Sequence, residues 1–353
     1  MSLSSLEQPF VTGSILTPSG SVPQILSTLT WRDHLGTFKA RWGIGRMHYT
    51  VHPGLYAFGE PNETSPVLVT ANYKMSFDKL RKELEGRNLW ILVLDTKGIN
   101  VWCSAGKGTF GTMELVSRIE SSGLSKVVSH RELILPQLAG PGVAAHQVKK
   151  LSGFKVVYGP IRSKDLPTFL DNGREATPEM RLKTFTTLER MVLIPLELVS
   201  AMKIGLVLMG ILFFLAFIWK SREGMTIALN HGLFSALAFF SAIVAGAILT
   251  PLLLPWLPGR AFSLKGFSLG FIVSLLLLVF RFNELGTWTG RFEVLAWILL
   301  IPALSAYLAM NFTGASTYTS LSGVKKEMRW ALPLQIGAGV IGLILWVGSH
   351  FVA

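Results

Sequence analysis

The sequence predicts an α/β domain, a mostly parallel sheet with flanking helices, followed by an all-α transmembrane bundle of five helices. Two observations predict the first half. From about residue 66 short β-rich runs alternate with amphipathic helical stretches, and one run, residues 89–95 (LWILVLD), is continuously apolar, as a central strand buried on both faces must be. One observation predicts the second half. From Lys203 onward the 353-residue chain carries ten Lys or Arg and four Asp or Glu, all between apolar runs rather than inside them.

In chain order, residues 1–65 form an N-terminal segment rich in Gly and aromatics (WRDHLGTFKARWGIGRMHYTVHPGLYAFG), expected to wrap the sheet with its topology unassigned. Residues 66–195 form the α/β domain. Within it residues 67–73 (VLVTANY) read as a strand. The helix that follows takes Ser76 as its cap, Phe77, Leu80 and Leu84 as its buried face and Gly86 as its stop. After the strand at 89–95, a long loop from Thr96 leads to a helix beginning near Thr112, with Leu115, Val116 and Ile119 inward. Then come KVVSH (126–130) as strand, GVAAHQVKKLSG as helix, FKVVYGP as strand and SKDLPTFLDNG as helix.

Residues 196–353 form the membrane domain. Its five apolar runs, 204–219, 233–249, 266–280, 294–310 and 331–348, are each near the roughly 17 to 20 residues that cross a bilayer. Their middles hold no ionisable residue, which favours anchoring over transport. Gly337, Gly339 and Gly342 are expected to serve close helix packing. The start MSLSSLEQPF lacks a basic stretch followed by an apolar core, so no signal peptide is expected and the soluble domain is placed in the cytoplasm. In that orientation the inner loops carry Arg260, Lys265, Lys325, Lys326 and Arg329, the outer ones Lys220, Arg222, Arg281 and Arg291, and His350 lies outside.

The net charge of +12 divides evenly about residue 202. Arg181, Lys183 and Arg190, next to the first span, are expected to face anionic membrane lipid. No aromatic and basic pattern of a nucleic-acid module is present, so no nucleic acid is expected as a partner. The single cysteine excludes an internal disulfide and any four-cysteine zinc or iron–sulfur site within the chain.

Ligands of open parallel sheets bind beyond the carboxyl ends of the strands. That rule selects residues 70–72, 95–112, 129–130 and 159–160, and the lone Cys103 falls in the longest of these loops. There Gly106 to Gly111 match the G-x-G-x-x-G spacing, but ten residues separate Asp95 from Gly106, whereas a dinucleotide fold needs the first glycine directly after the strand. Lys107 is followed by Gly108 rather than Ser or Thr, which weakens a P-loop further. For Cys103 the bland reading is a small buried hydrophobe. Its place at the ligand edge, Lys107 one turn on and the surrounding glycines favour a functional thiol. One thiol can supply an axial ligand to a metal already held by a macrocycle, or act as a nucleophile with His130 or His146 as base.

At this point NVWCSAGKGTFGT closely resembles the cap-helix motif of the HgcA family, the membrane-anchored corrinoid proteins of mercury methylation. VLVTANYKMSFDKLR, VSHRELILPQL, GPGVAAHQVKKLSGFKVVYGP and ATPEMR look like the same family, over most of residues 30–190, and the five-span tail fits. Its soluble domain is similar to that of the corrinoid iron–sulfur protein large subunit. The family motif reads N-(V/I)-W-C-A-(A/G)-G-K, so Ser104 stands here in place of alanine and adds a hydroxyl near the expected metal.

The resemblance implies a methyltransferase that moves a methyl group from methyl-cobalt(III) corrinoid to mercuric ion, forming methylmercury. Cys103 is then the catalytic residue and lower axial cobalt ligand, and Asn100, Val101, Trp102, Ser104, Ala105, Gly106 and Lys107 shape the cofactor-binding helix. Thr70, Asn72, Ser129, His130 and Gly159, at the expected strand ends, are geometric guesses for the corrinoid tail. A ferredoxin-like iron–sulfur protein of the HgcB type is the expected electron donor, and a methyl donor protein or the methyl-tetrahydrofolate pathway supplies the methyl group. The residues agree at two points. No other cysteine is present to carry electrons, and no D-x-H-x-x-G histidine loop occurs, since RDHLG at 32–36 has its Asp and His adjacent. The alternatives left open are a corrinoid protein with another acceptor and a membrane-bound nucleotide-binding regulator built on Gly106 to Gly111.

Overall fold

The computed structural model describes residues 8–316 and 319–351. The chain divides into two compact units, Met1–Lys183 and Thr184–Ala353.

The first unit is a seven-stranded sheet of β1 (Val11–Thr17), β2 (Gly20–Ile25), β3 (Gly54–Phe58), β4 (Val67–Ala71), β5 (Leu89–Leu94), β6 (Glu132–Leu135) and β7 (Lys155–Tyr158), in the order β1-β2-β3-β5-β4-β6-β7. β1 pairs antiparallel with β2, and β3 with β5; the remaining pairings are parallel, so the sheet is mixed. β5 is central, and its alternate residues feed two cores. Trp90, Leu92 and Leu94 face Phe110, Leu115 and Val148, whereas Leu89, Ile91 and Val93 face Phe77, Leu84 and Phe169. Both faces are covered, which is why the run is apolar throughout.

The helices of this unit are α1 (Trp31–Arg41), α2 (Lys74–Glu83), α3 (Val101–Lys107), α4 (Thr112–Ser121), α5 (Leu124–Val127), α6 (Ala145–Ser152) and α7 (Leu166–Asp171). Four sequence expectations change. Residues before 66 do not merely wrap the sheet; β1, β2 and β3 are part of it. The helix α2 starts at Lys74 with Tyr73 as N-cap, so Ser76 lies inside it. The loop after β5 contains a helix of its own, α3. The run KVVSH is not a strand: residues 124–127 are helical and β6 begins later, at Glu132. A short apolar run does not separate helix from strand by itself, and here Gly123, at φ +60°, starts a helical turn that buries Val127 in the core.

An ionic network fastens α1 to α2. The Asp33 carboxylate accepts hydrogen bonds from the Thr30 backbone (2.8 Å), Lys74 Nζ (2.6 Å) and Arg81 Nη2 (2.8 Å). Asp78 takes the other protons of Lys74 and the Nε–H of Arg81, which is fully buried. Burial pushes the Asp33 carboxyl up, but the Lys74 hydrogen bond and charge, with the Thr30 amide, hold it well below the usual range.

The second unit is helical: α8 (Thr187–Met191), α9 (Ile194–Lys220), α10 (Met225–Ile243), α11 (Thr250–Leu253), α12 (Phe262–Leu278), α13 (Trp288–Asn311) and α14 (Leu321–Ser349). Among the described residues, five helical stretches are long and apolar enough to cross a membrane. α12 and α13 approach closely at Gly266 and Gly270, where an added Cβ would lie 2.5 Å from Ala309 Cβ and 2.8 Å from Pro302 Cα. This is the close backbone contact that a small-xxx-small pair permits. The glycines expected in that role behave differently: only Gly342 packs, against Leu300, while Gly337 and Gly339 have nothing within 4 Å.

Arg190, expected to face lipid, is instead buried and gives hydrogen bonds to the carbonyls of Phe185 (2.6 Å) and Leu252 (3.2 Å). The helices also extend beyond their apolar runs and so carry ionisable groups near their ends. Lys265 in α12 donates to the carbonyls of Leu254 and Leu257. His231 in α10 lies 3.1 Å from Glu293 of α13 and 3.8 Å from Glu284, which is paired with Arg281. The carboxylates approach different ring nitrogens, and Arg281 already supplies a cation there. The arrangement is a charge-compensated polar cluster.

Candidate functional site around Cys103

Beyond the carboxyl end of β5 the chain makes a tight turn and enters α3. Asn72, at the end of β4, organises that turn: its Oδ1 accepts from the Thr96 amide (3.1 Å), the Thr96 hydroxyl (2.8 Å) and the Gly98 amide (3.0 Å). Gly98, at φ +71°, is required here because a Cβ would sit 2.8 Å from the Met47 carbonyl. The Asp95 amide is held by Glu114 (2.8 Å), and the Asp95 carboxylate pairs with Lys97. Burial raises the Asp95 carboxyl, but the Lys97 hydrogen bond and charge bring it below its ordinary value.

Asn100 is the N-cap of α3. Its side chain accepts from the Cys103 amide at 2.9 Å, satisfying one of the unpaired donors of the first turn. The helix has two faces. Val101, Ser104 and Ala105 are buried, whereas Trp102, Cys103, Gly106 and Lys107 are exposed. The thiol of Cys103 is free and open to solvent. One turn on, Gly106 presents no side chain, and an added Cβ would meet nothing within 4 Å. The sulfur therefore stands on an uncrowded face that a flat ligand can approach. On the buried side Gly142 permits contact: a Cβ there would lie 2.2 Å from the Phe110 carbonyl and 2.9 Å from Ala105 Cα.

The hydroxyl of Ser104 does not reach the Cys103 face. It is fully buried and donates to the helix's own carbonyls, Asn100 at 2.6 Å and Val101 at 3.0 Å. Gly106 to Gly111 close α3 and lead into α4 rather than joining a strand to a helix, which removes the geometric basis for a dinucleotide site.

Of the residues selected by the strand-end rule, Asn72 and Gly159 lie at carboxyl ends, those of β4 and β7, whereas Ser129 and His130 do not. Thr70 is buried inside β4, and Gly159, though at the carboxyl end of β7, is packed against Ile134 and Phe169. Ser129 and His130 precede β6 and lie at the opposite, amino edge, where they bond to the carbonyls of Glu63 and Ser65. His130 is further committed to the Glu132 amide, and His146 is exposed on α6, so neither is placed as a base. Sequence reasoning missed Tyr73, which lies in the electrostatic field of Cys103 and carries Arg46 over its ring, and the 3-10 turn Gln137–Ala139 at the true carboxyl end of β6.

The first unit is an α/β domain with a mixed sheet and a helix-borne thiol beyond its central strands, and comparison with known proteins shows what it is similar to. Residues 15–170 match the CdhD family, described as the CO dehydrogenase/acetyl-CoA synthase delta subunit. That stretch of the first unit is thus similar to the CdhD family and to the large subunit of the corrinoid/iron–sulfur protein. The acetyl-CoA decarbonylase/synthase complex subunit gamma of Methanopyrus kandleri is 36% identical over 123 residues, 34% of this chain and 26% of that protein. The corresponding Methanothermobacter thermautotrophicus subunit is 31% identical over 150 residues, 42% of this chain and 31% of that protein. The corrinoid/iron–sulfur protein large subunit of Moorella thermoacetica is 25% identical over 147 residues, 41% of this chain and 31% of that protein. The chain spans about a quarter to a third of the length of these relatives, and the family match falls in the first unit.

Proposed function

We propose that the chain is a membrane-anchored corrinoid protein that transfers a methyl group to mercuric ion, with Cys103 as the axial ligand of the corrinoid cobalt. The observation that carries this reading is the exposed, solitary thiol on the open face of α3, within a domain similar to corrinoid proteins. The residues fit the group: a macrocycle fills the equatorial positions of its metal, so a single protein sulfur suffices, and Gly106 leaves room beside it. When bound, the corrinoid supplies a cobalt-held methyl group.

The chain's own residues then perform limited tasks. Cys103 would hold the metal of that group through its sulfur, a soft and strongly donating ligand. Asn100 and Asn72 hold α3 and its entry turn so that this sulfur is presented in one orientation. Trp102, half exposed beside it, offers a flat apolar wall, and Lys107 a cation one turn away. Electrons come from a separate protein of the ferredoxin-like, HgcB type, since the chain has no further cysteine for a cluster. The five apolar helices anchor the protein in the cytoplasmic membrane, with the first unit in the cytoplasm.

The choice of mercuric ion rests on the likeness of NVWCSAGK to the HgcA cap-helix motif. An anaerobic assay of the full chain with methylcorrinoid, a low-potential reductant and mercuric ion, read by mass detection of methylmercury, tests it. Methylmercury formation that disappears in Cys103→Ala supports the proposal. Corrinoid binding without methylmercury leaves a corrinoid protein with another acceptor.

A further inference from the structure

The segment that follows α1 reaches the same sheet edge as Cys103. Thr50 bridges to Tyr73, the Val51 amide bonds to the Asn72 carbonyl at 2.8 Å, and the Lys74 amide bonds to the Tyr49 carbonyl at 3.0 Å. This stitching lays the 3-10 turn Arg46–His48 against Gly98, at the entry to α3. Two arginines come with it. Arg46 stacks its guanidinium over the Tyr73 ring at 5.5 Å and donates from Nη1 to the Ala40 carbonyl at 3.5 Å, which brings it to the end of α1, where Arg41 stands.

Both guanidiniums are half-buried, and among the described residues neither has a carboxylate partner. Contrast the Asp33, Asp78, Lys74 and Arg81 network on the same unit, where every buried cation is matched. The helix dipole accounts for one cation in the last turn of α1. It does not account for two like charges placed together and partly desolvated. Burial lowers the Arg41 pKa, with Arg46 acting in the same direction and Tyr73 opposing. Burial likewise raises the Tyr73 phenol; Arg46 and Arg41 oppose that rise and Cys103 adds to it, so the four groups share one electrostatic neighbourhood.

We infer that Arg41 and Arg46 form an oxyanion site of the phosphate class on the rim of the Cys103 face, with Tyr73 as its floor. A phosphate supplies several acceptor oxygens to two planar, permanently charged forks and removes their mutual repulsion. The chemistry fits two sources, the phosphodiester in the nucleotide tail of a complete corrinoid or a separate phosphate-bearing ligand. Only the first source rests on the corrinoid reading.

The test uses the full chain in detergent. Cobalamin, cobinamide (which lacks the phosphate and nucleotide tail) and inorganic phosphate are titrated into wild type, Arg41→Gln, Arg46→Gln and the double variant. If the tail is the ligand, each single change weakens cobalamin binding about tenfold, the fold-change expected for losing one charge-assisted contact, and cobinamide binding stays unchanged. If the ligand is separate, both corrinoids bind as before, while inorganic phosphate binds wild type and is lost from the double variant. Retained Tm in the variants shows that they fold. Equal weakening of cobalamin and cobinamide, or no change in any of the three titrations, overturns the site. Wild type that binds no corrinoid yet binds phosphate through these arginines defeats the cofactor reading and upholds the oxyanion site.

Discussion

At the scale of single residues, α3 separates presentation from support. Cys103 is exposed, so its replacement costs little stability, within about 0.5 kcal/mol for a surface position. Ser104, although it departs from the family motif, spends its hydroxyl on helix carbonyls, and Ser104→Ala should leave the corrinoid spectrum unchanged while shifting stability by about 1 kcal/mol or less. A changed spectrum would place the hydroxyl near the metal after all. Asn72→Ala should do more, because it leaves the buried Thr96 and Gly98 amides without an acceptor. A loss of about 1–3 kcal/mol in denaturant midpoints, with weaker corrinoid binding, is expected. Cys103 was legible in the sequence because it is alone and flanked by glycine. Asn72 was picked for its position alone, since a sequence shows that an amide sits at a strand end but not that three donors converge on it. Ser129 and His130 were misplaced because the apolar VV pair was read as the strand and ELIL, directly after them, is the strand.

At the scale of elements, the α1–α2 network gives the first unit an acid-labile joint. The folded Asp33 carboxyl titrates below its unfolded value of about 4. Its contribution is therefore fully present above that value and is lost as pH falls through the folded pKa. Denaturation midpoints should drop on acidification from pH 7 to about 3. Asp33→Asn should lower stability at pH 7 by about 3 kcal/mol, because it leaves the buried Lys74 and Arg81 charges to share the single carboxylate of Asp78, and should flatten part of the acid dependence. An unaltered pH profile in that variant would show that the joint contributes nothing. The strands and helices from residue 66 onward were largely readable from periodicity. The participation of residues 11–58 in the sheet was not, because β1 and β2 are half-exposed and their pairing with β3 is long-range. The packing glycines of the helical unit were equally hidden: Gly266 and Gly270 carry the spacing, but only the fold shows α13 against them.

At the scale of the whole molecule, one chain combines a domain similar to the CdhD family with, among the described residues, five helices long and apolar enough to cross a membrane. The single cysteine makes orientation measurable. If the first unit faces the cytoplasm, a membrane-impermeant maleimide should label Cys103 in inside-out vesicles and not in sealed right-side-out cells. The reverse labelling would invert the proposed topology. Gly266→Leu should disrupt the α12–α13 contact and reduce the folded yield in detergent, since the added side chain has no space beside Ala309 and Ser305.

The central claim is that the Cys103 sulfur ligates a corrinoid cobalt. The most direct measurement is cobalt content and absorption spectrum of the anaerobically purified full chain, loaded with corrinoid, for wild type and Cys103→Ala side by side. The account predicts stoichiometric corrinoid in wild type and a shifted spectrum in a variant that remains folded. Absence of corrinoid from wild type, or identical spectra in the two proteins, would contradict it.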